Sequence, residues 1–131
     1  MDDPRVGALV AAAREVRRHA YAPYSGFTVG AAVLAGARTF TGVNVENASF
    51  PLSMCAERDA IGAMVVAGER SLDAIAIVAD AANVPTPCGG CRQVIWELGQ
   101  SALVIAENLA GERAAWAIED LLPAPFELRR P

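Results

Sequence analysis

The spacing of apolar residues near the start of the chain predicts an opening helix. Apolar side chains recur on one helix face over residues 6–16, after a capping Asp2 or Asp3 and with Pro4 in the first turn. The intervening basic residues fall on the opposite face and are expected to face solvent: Arg14, Arg17 and Arg18.

Two β-rich segments after this helix predict a β-hairpin followed by a second helix. Residues 27–34 and 39–45 read as strands on either side of a turn at 35–38. Helical periodicity then runs over residues 54–67 and ends at Gly68, a residue type common just beyond helix C-termini.

The second half of the chain predicts two more strands and two more helices. Residues 72–78 form a continuous apolar run typical of a buried strand, and after a proline-containing break a helix is predicted over 88–98. A strand over 102–106 and a closing helix over 116–122 follow, with Arg113 in a solvated loop between them.

The predicted order of elements, α-β-β-α-β-α-β-α, is typical of an α/β protein. Strands joined through helices imply parallel pairing, and the hairpin adds antiparallel pairing, so we expect a mixed sheet in a three-layer α/β/α fold. The chain has 131 residues, of which 53% are hydrophobic, and it shows no repeat or linker. These features predict a single domain over residues 1–131.

Charge and cysteine content narrow the partners that the protein is expected to bind. The net charge of −4 offers no basic surface for a nucleic acid or an anionic membrane, so a small neutral substrate is favoured. The apolar segment over residues 6–13 is too short to span a bilayer, and three cysteines, an odd number, indicate reduced thiols and not a disulfide framework. We therefore expect a cytoplasmic protein.

The candidate chemistry lies in two short motifs, Cys55-Ala56-Glu57 and Pro87-Cys88-Gly89-Gly90-Cys91. Three thiolates on a tetrahedral Zn²⁺ leave one position open for water, whereas a structural zinc site normally has a fourth protein ligand. Glu57 lies close enough in sequence to move protons near that water without binding the metal. The motifs predict a catalytic zinc site.

Both motifs fall at predicted helix N-termini, where backbone N–H groups and the helix dipole stabilise thiolates. Three thiolates nevertheless leave a zinc site with net negative charge, which weakens the metal as a Lewis acid. Arg58 follows Glu57 directly and is expected to donate hydrogen bonds to the cysteine sulfurs from outside the ligand shell.

Two other interpretations of the cysteines remain open. Cys88 and Cys91 have the spacing of a dithiol redox motif at a helix start. A purely structural zinc module is the second alternative, although no fourth ligand is apparent, because the single histidine, His19, lies at the end of the first predicted helix.

Five segments in fixed order carry a resemblance to a known family. They are Tyr24-Ser25-Gly26-Phe27 with Val29-Gly30-Ala31-Ala32, Gly42-Val43-Asn44-Val45-Glu46-Asn47-Ala48-Ser49, Cys55-Ala56-Glu57-Arg58, Pro87-Cys88-Gly89-Gly90-Cys91-Arg92-Gln93 and Glu119-Asp120-Leu121-Leu122-Pro123. In these segments the chain resembles the small zinc-dependent cytidine deaminases of pyrimidine salvage, whose short-chain members are homotetramers. The resemblance covers nearly the whole chain.

The resemblance implies a role for each matching residue. Cys55, Cys88 and Cys91 would bind Zn²⁺, with Glu57 as the proton shuttle and Arg58 beside the ligands. The substrate pocket would contain Phe27 stacked on the pyrimidine, Asn44 and Glu46 on the sugar hydroxyls, and Ala48 and Ala56. Phe50 and Phe126 would line the pocket of a neighbouring subunit, so that active sites are shared.

The implied reaction is hydrolytic deamination of cytidine and 2'-deoxycytidine to uridine and 2'-deoxyuridine, with release of ammonia. Two positions depart from the family pattern, because Phe50 stands where tyrosine is common and Pro51 where glycine is common. Another amino-substituted heterocycle, such as blasticidin S or a modified cytidine, is the alternative substrate.

Overall fold

The computed structural model describes residues 3–128 of the chain. Its helices and strands are α1 (Pro4–Val16), β1 (Val29–Ala35), β2 (Arg38–Val43), α2 (Ala56–Val66), β3 (Ala74–Ala79), α3 (Gly89–Leu98), β4 (Leu103–Asn108), β5 (Arg113–Ala117) and α4 (Ile118–Leu121), with short 3₁₀ helices at Arg17–His19 and Phe50–Leu52. Among the helices in this part of the chain, none has the length and apolar content needed to span a bilayer.

The five strands form one mixed sheet in the order β2-β1-β3-β4-β5. Strand β1 pairs antiparallel with both β2 and β3, β3 pairs parallel with β4, and β4 pairs antiparallel with β5. The predicted mixed sheet is confirmed, and so is the hairpin, whose two-residue turn contains Gly36 at φ 62°.

Helices cover both faces of the sheet, which confirms the three-layer arrangement. Successive strand residues point to opposite faces, so Ala32 and Val78 pack against α1 while Val33 and Ile77 pack against α2 and α3. The buried core therefore consists of two clusters, one on each face of the sheet.

The predicted closing helix over 116–122 is wrong at its start, because a fifth strand takes its place. Trp116 lies in β5 opposite Val104, and the helix extends only over Ile118–Leu121. The chain reverses between β4 and β5 in a turn where the Gly111 N–H donates to the Asn108 carbonyl over 3.1 Å. Gly111 has a φ of 90°, a conformation that glycine adopts without strain.

Arg14 is exposed, as expected, and so is Arg113, but both side chains pair with the buried Glu107. Arg14 and Arg113 donate to the two carboxylate oxygens of Glu107 over 2.7 and 2.9 Å, and Arg113 is the first residue of β5 and not part of a loop. Burial alone would raise the pKa of Glu107, but the hydrogen bonds from both arginines outweigh it and lower that pKa. Arg17 is half-buried, whereas Arg18 is exposed as expected.

Close contact between α2 and β2 positions the helix that carries the first cysteine motif. A Cβ atom on Gly42 would lie 2.3 Å from the backbone nitrogen of Ala60, so only glycine fits there. One residue earlier in α2, a carboxylate oxygen of Asp59 accepts the Val43 N–H over 3.0 Å. The N-terminus of α2 is thereby fixed beside the end of β2.

Candidate metal and active site

The three cysteine sulfurs lie together at the N-termini of two helices. Cys55 is the N-cap of α2, Cys88 is the N-cap of α3, and Cys91 lies in the first turn of α3. Their Sγ atoms are all within 4.8 Å of one another, and all three thiols are free. Tetrahedral zinc with Zn–S bonds of about 2.3 Å requires sulfurs about 3.8 Å apart, so this donor set fits the metal.

The groups around the sulfurs influence whether the thiols are ionised. The Arg58 Nη2 donates to Cys55 Sγ over 3.3 Å and to the Ser53 carbonyl over 3.5 Å. Burial, together with the neighbouring Glu57 and Cys55, raises the pKa of the Cys91 thiol above its ordinary value. A divalent cation reverses this tendency, because it stabilises the thiolate form of its ligands.

Glu57 lies in the first turn of α2 beside this sulfur cluster. It is one of two buried acidic residues in the described part of the chain, and 6% of its surface is exposed. Burial raises the pKa of its carboxyl group, while hydrogen bonding to its own backbone and to Cys91 and the charge of Arg58 act in the opposite direction. A carboxyl group with a raised pKa is suited to taking up and releasing protons near neutral pH.

A cleft of about 670 Å³ opens beside the sulfurs and Glu57, a volume suited to a small organic ligand. Most of the residues that the sequence places at the substrate line it: Phe27, Asn44, Glu46, Phe50 and Ala56. Phe27 precedes β1, which begins at Val29 and not at residue 27 as predicted. Cys55 and Cys88 also line the cleft, so a metal on the cysteines would face its interior.

Ala48 and Phe126 are not among the residues that line this cleft. Phe126 is 70% exposed, and its backbone exchanges two hydrogen bonds with the Gln93 side chain, over 2.9 and 2.7 Å. Phe50 lines the cleft of its own chain and is 76% exposed. Within the single chain, Phe50 therefore lines its own cleft and the Phe126 ring lies on the surface.

Asn44 and Glu46 follow β2, and both are held by the backbone of neighbouring segments. Asn44 accepts the Val29 N–H and donates to the Phe27 carbonyl, each over 2.8 Å. Glu46 accepts hydrogen bonds from the segment that includes Ser25, and the largest cause of its lowered pKa is the bond from the Ser25 side chain. Its carboxylate is ionised and can accept hydrogen bonds from hydroxyl groups.

The sequence interpretation missed the loop over residues 81–86, which forms one wall of the cleft. This loop follows β3, which pairs parallel with β4. Ligands of α/β proteins often bind beyond the carboxyl ends of parallel strands, so the position of the loop after a buried strand was the available signal.

Comparison with known proteins identifies relatives across most of the chain. Residues 5–107 match the family model for the cytidine and deoxycytidylate deaminase zinc-binding region. A cytidine deaminase from Sporosarcina psychrophila is 42% identical over 120 residues, which cover 90% of this chain and 88% of that protein. One from Mycobacterium tuberculosis is 44% identical over 110 residues, covering 83% of this chain and 80% of that protein.

Solved structures agree with the sequence relatives. The crystal structure of cytidine deaminase from Burkholderia pseudomallei superposes with a TM-score of 0.89 at 44% identity, covering 92% of this chain and 98% of that one. The structure of the Mycobacterium tuberculosis protein gives a TM-score of 0.80 at 39% identity, with 94% and 98% covered. The fold is therefore shared over most of the chain, and the residues matched by the family model span both cysteine motifs.

Proposed function

The chain belongs to the family of cytidine and deoxycytidylate deaminases, and we propose that it is a zinc-dependent enzyme that hydrolyses cytidine and 2'-deoxycytidine to uridine and 2'-deoxyuridine. The observation that carries this proposal is the position of Glu57 beside three convergent sulfurs at a cleft lined by Phe27, Asn44 and Glu46. Ammonia is the second product.

Cys55, Cys88 and Cys91 would hold the metal. When bound, zinc supplies Lewis-acid chemistry that lowers the pKa of water to about 7 and makes hydroxide available at neutral pH. Arg58 offsets the charge of the thiolates through its hydrogen bond to Cys55.

Glu57 is the group that moves protons in this proposal. Its carboxylate accepts a proton from water and delivers it to N3 of the cytosine ring, which makes C4 electrophilic for addition of the oxygen. Glu57 then carries the proton of the new C4 hydroxyl to the amino group, the C4–N bond breaks, and ammonia leaves while the C4 oxygen becomes the carbonyl of uridine. Burial of Glu57 keeps bulk water from competing for these protons.

The remaining cleft residues would bind and orient the nucleoside. Phe27 offers an aromatic ring to the pyrimidine, and Glu46 offers an ionised acceptor to the sugar hydroxyls. The charge of Glu46 also opposes binding of a substrate that carries a phosphate on the sugar. These contacts favour a free nucleoside over a nucleotide or a free base.

The test is an absorbance assay of the zinc-loaded protein with cytidine, 2'-deoxycytidine, cytosine, 5-methylcytidine, a cytidine monophosphate and blasticidin S. We expect turnover of the first two with equimolar ammonia, and loss of activity when a chelator removes the metal. Exclusive turnover of blasticidin S or of free cytosine would overturn the nucleoside assignment. A protein without zinc, or one with zinc and no turnover of any compound, would favour a dithiol or structural site instead.

We also propose that the enzyme is a cytoplasmic homotetramer of pyrimidine salvage in which subunits share active sites. Phe50 and Phe126 are large apolar side chains with 76% and 70% of their surface exposed, and association would cover them. Free thiols as metal ligands suit a reducing compartment. Light scattering should give the mass of four chains, and a monomer with full activity would contradict sharing.

A further inference from the structure

The carboxylate of Glu46 is held by three donors from one short turn. One of its oxygens, Oε1, accepts the backbone N–H groups of Tyr24 and Ser25 over 3.0 and 3.1 Å. The other, Oε2, accepts the hydroxyl of Ser25. Two of the donors are backbone groups, so the Ser25 hydroxyl is the donor that a substitution can remove.

The direction of the Ser25 hydroxyl is set by a second hydrogen bond. Its oxygen accepts the N–H of Phe27 over 3.0 Å. A serine hydroxyl has a single proton, and with Phe27 donating to the oxygen that proton is directed to Glu46. The Phe27 carbonyl in turn accepts a hydrogen bond from the Asn44 side chain over 2.8 Å. Ser25 thus links three residues that line the cleft, although it does not itself line it.

If the Glu46 side chain were free to rotate, the protein would bind a ligand of this carboxylate more weakly. Long polar side chains have many rotamers, and ordering one of them when a ligand binds costs free energy. We propose that Ser25 is a positioning residue that holds the Glu46 carboxylate in the orientation needed to accept a sugar hydroxyl of the nucleoside. This inference rests on the proposed function, because it deepens the role given there to Glu46.

Ser25→Ala tests the inference, with Ser25→Thr as the variant that retains a hydroxyl. Ser101→Ala is the matched control, since Ser101 is exposed in the turn before β4 and does not line the cleft. Each protein is assayed with cytidine and with 2',3'-dideoxycytidine, which lacks both sugar hydroxyls that Glu46 could bind. Zinc content is measured in parallel.

For Ser25→Ala we expect KM for cytidine to rise roughly three- to tenfold, the equivalent of one lost hydrogen bond, with kcat and zinc content nearly unchanged. KM for the dideoxy analogue should change much less, and Ser25→Thr should restore the KM for cytidine. An equal rise for both substrates would indicate a merely structural role and overturn the inference. An unchanged KM for cytidine, or a threonine variant that behaves like alanine, would also overturn it.

Titration calorimetry with uridine and 2',3'-dideoxyuridine tests the same inference without turnover, by measuring the affinity of each variant for a ligand with and without the two sugar hydroxyls. The expected result is the same selective loss of uridine affinity in Ser25→Ala. A wild-type protein that binds uridine but does not deaminate cytidine would refute the proposed reaction and leave the Ser25 comparison decisive by itself. Equal affinity of the wild type and Ser25→Ala for uridine would refute the role of Ser25 alone.

Discussion

Replacing Gly42 by alanine should destabilise the protein through a clash that no side chain can relieve. The added Cβ would lie 2.3 Å from the nitrogen of Ala60, 2.7 Å from the carbonyl oxygen of Ala56 and 2.8 Å from the carbonyl carbon of Asp59. All three atoms belong to the backbone of α2. The helix therefore has to move away from β2 as a unit.

The size of this movement sets the expected loss of stability. Non-bonded carbon atoms pack at about 3.5 Å, so α2 has to shift by more than about 1 Å. Overpacking of this kind costs about 1–3 kcal/mol, and a backbone clash belongs at the upper end of that range. For a domain of this size, about 3 kcal/mol lowers the melting temperature by about 9 °C. Cys55 and Glu57 move with the helix, so zinc affinity should fall as well.

Gly62→Ala is the matched control within the same helix. A Cβ on Gly62 would meet no atom within 4 Å, and alanine in a helix interior is about 0.5–1 kcal/mol more favourable than glycine. Thermal unfolding of the zinc-loaded proteins, followed by circular dichroism at one protein concentration, should lower the transition for Gly42→Ala and raise it slightly for Gly62→Ala. If the melting temperature of Gly42→Ala lies within about 3 °C of that of the wild type, which corresponds to a loss of only about 1 kcal/mol in stability, the predicted clash is refuted.

Three other substitutions test the site and the core. Glu57→Gln should retain zinc and lose more than about 10³-fold in turnover, because an amide cannot carry protons; metal analysis beside an ammonia assay checks both, and substantial residual turnover would exclude the proposed role. Arg58→Ala should weaken zinc binding about ten- to a hundredfold, measured by chelator competition, and an unchanged affinity would contradict the stabilising contact with Cys55. Glu107→Gln should cost about 1–3 kcal/mol in urea unfolding at neutral pH. Because the folded pKa of Glu107 lies below the ordinary value of 4.5, its contribution is complete above pH 4.5 and is lost as the pH falls through the folded pKa, so the two unfolding curves should converge in acid.

The zinc site was predictable from sequence because its geometry is mostly local. Cys55 and Cys88 each directly precede a helix and are its N-cap, and Cys91 lies one turn later on the same helix as Cys88. The only long-range requirement is that α2 and α3 pack on the same face of the sheet, as their apolar residues dictate.

Strand β5 was not predictable in the same way, because its apolar run is short. Residues 114–117 are small or aromatic and only half-buried, and a run of this length fits a strand or the start of a helix equally well. Pairing with β4 decides between the two, since it satisfies the β4 edge with hydrogen bonds from β5. The turn at Gly111 was the local sign of this hairpin.

The environment of Glu107 depends on contacts between distant parts of the chain. Arg14 reaches it from α1, 93 residues earlier in sequence, so the helix pattern alone could not show that this exposed arginine pairs with Glu107. The cleft wall at residues 81–86 also depends on tertiary structure. Its residue types do not by themselves indicate a binding site, and they line the cleft only because the loop follows β3. Such features follow from tertiary packing, which periodicity does not encode.

The position of β1 inside the sheet has a consequence during protein synthesis. On one side β1 pairs with β2, which follows it immediately, but its other neighbour, β3, begins only at Ala74. A nascent chain therefore carries an apolar strand with one unpaired edge after β2 is complete, while the ribosome translates residues 44–79. Unpaired edges of this kind can pair with other chains. Slow translation of that segment, or a shortage of chaperones that cover it, should increase the fraction of newly made protein that aggregates before the sheet closes.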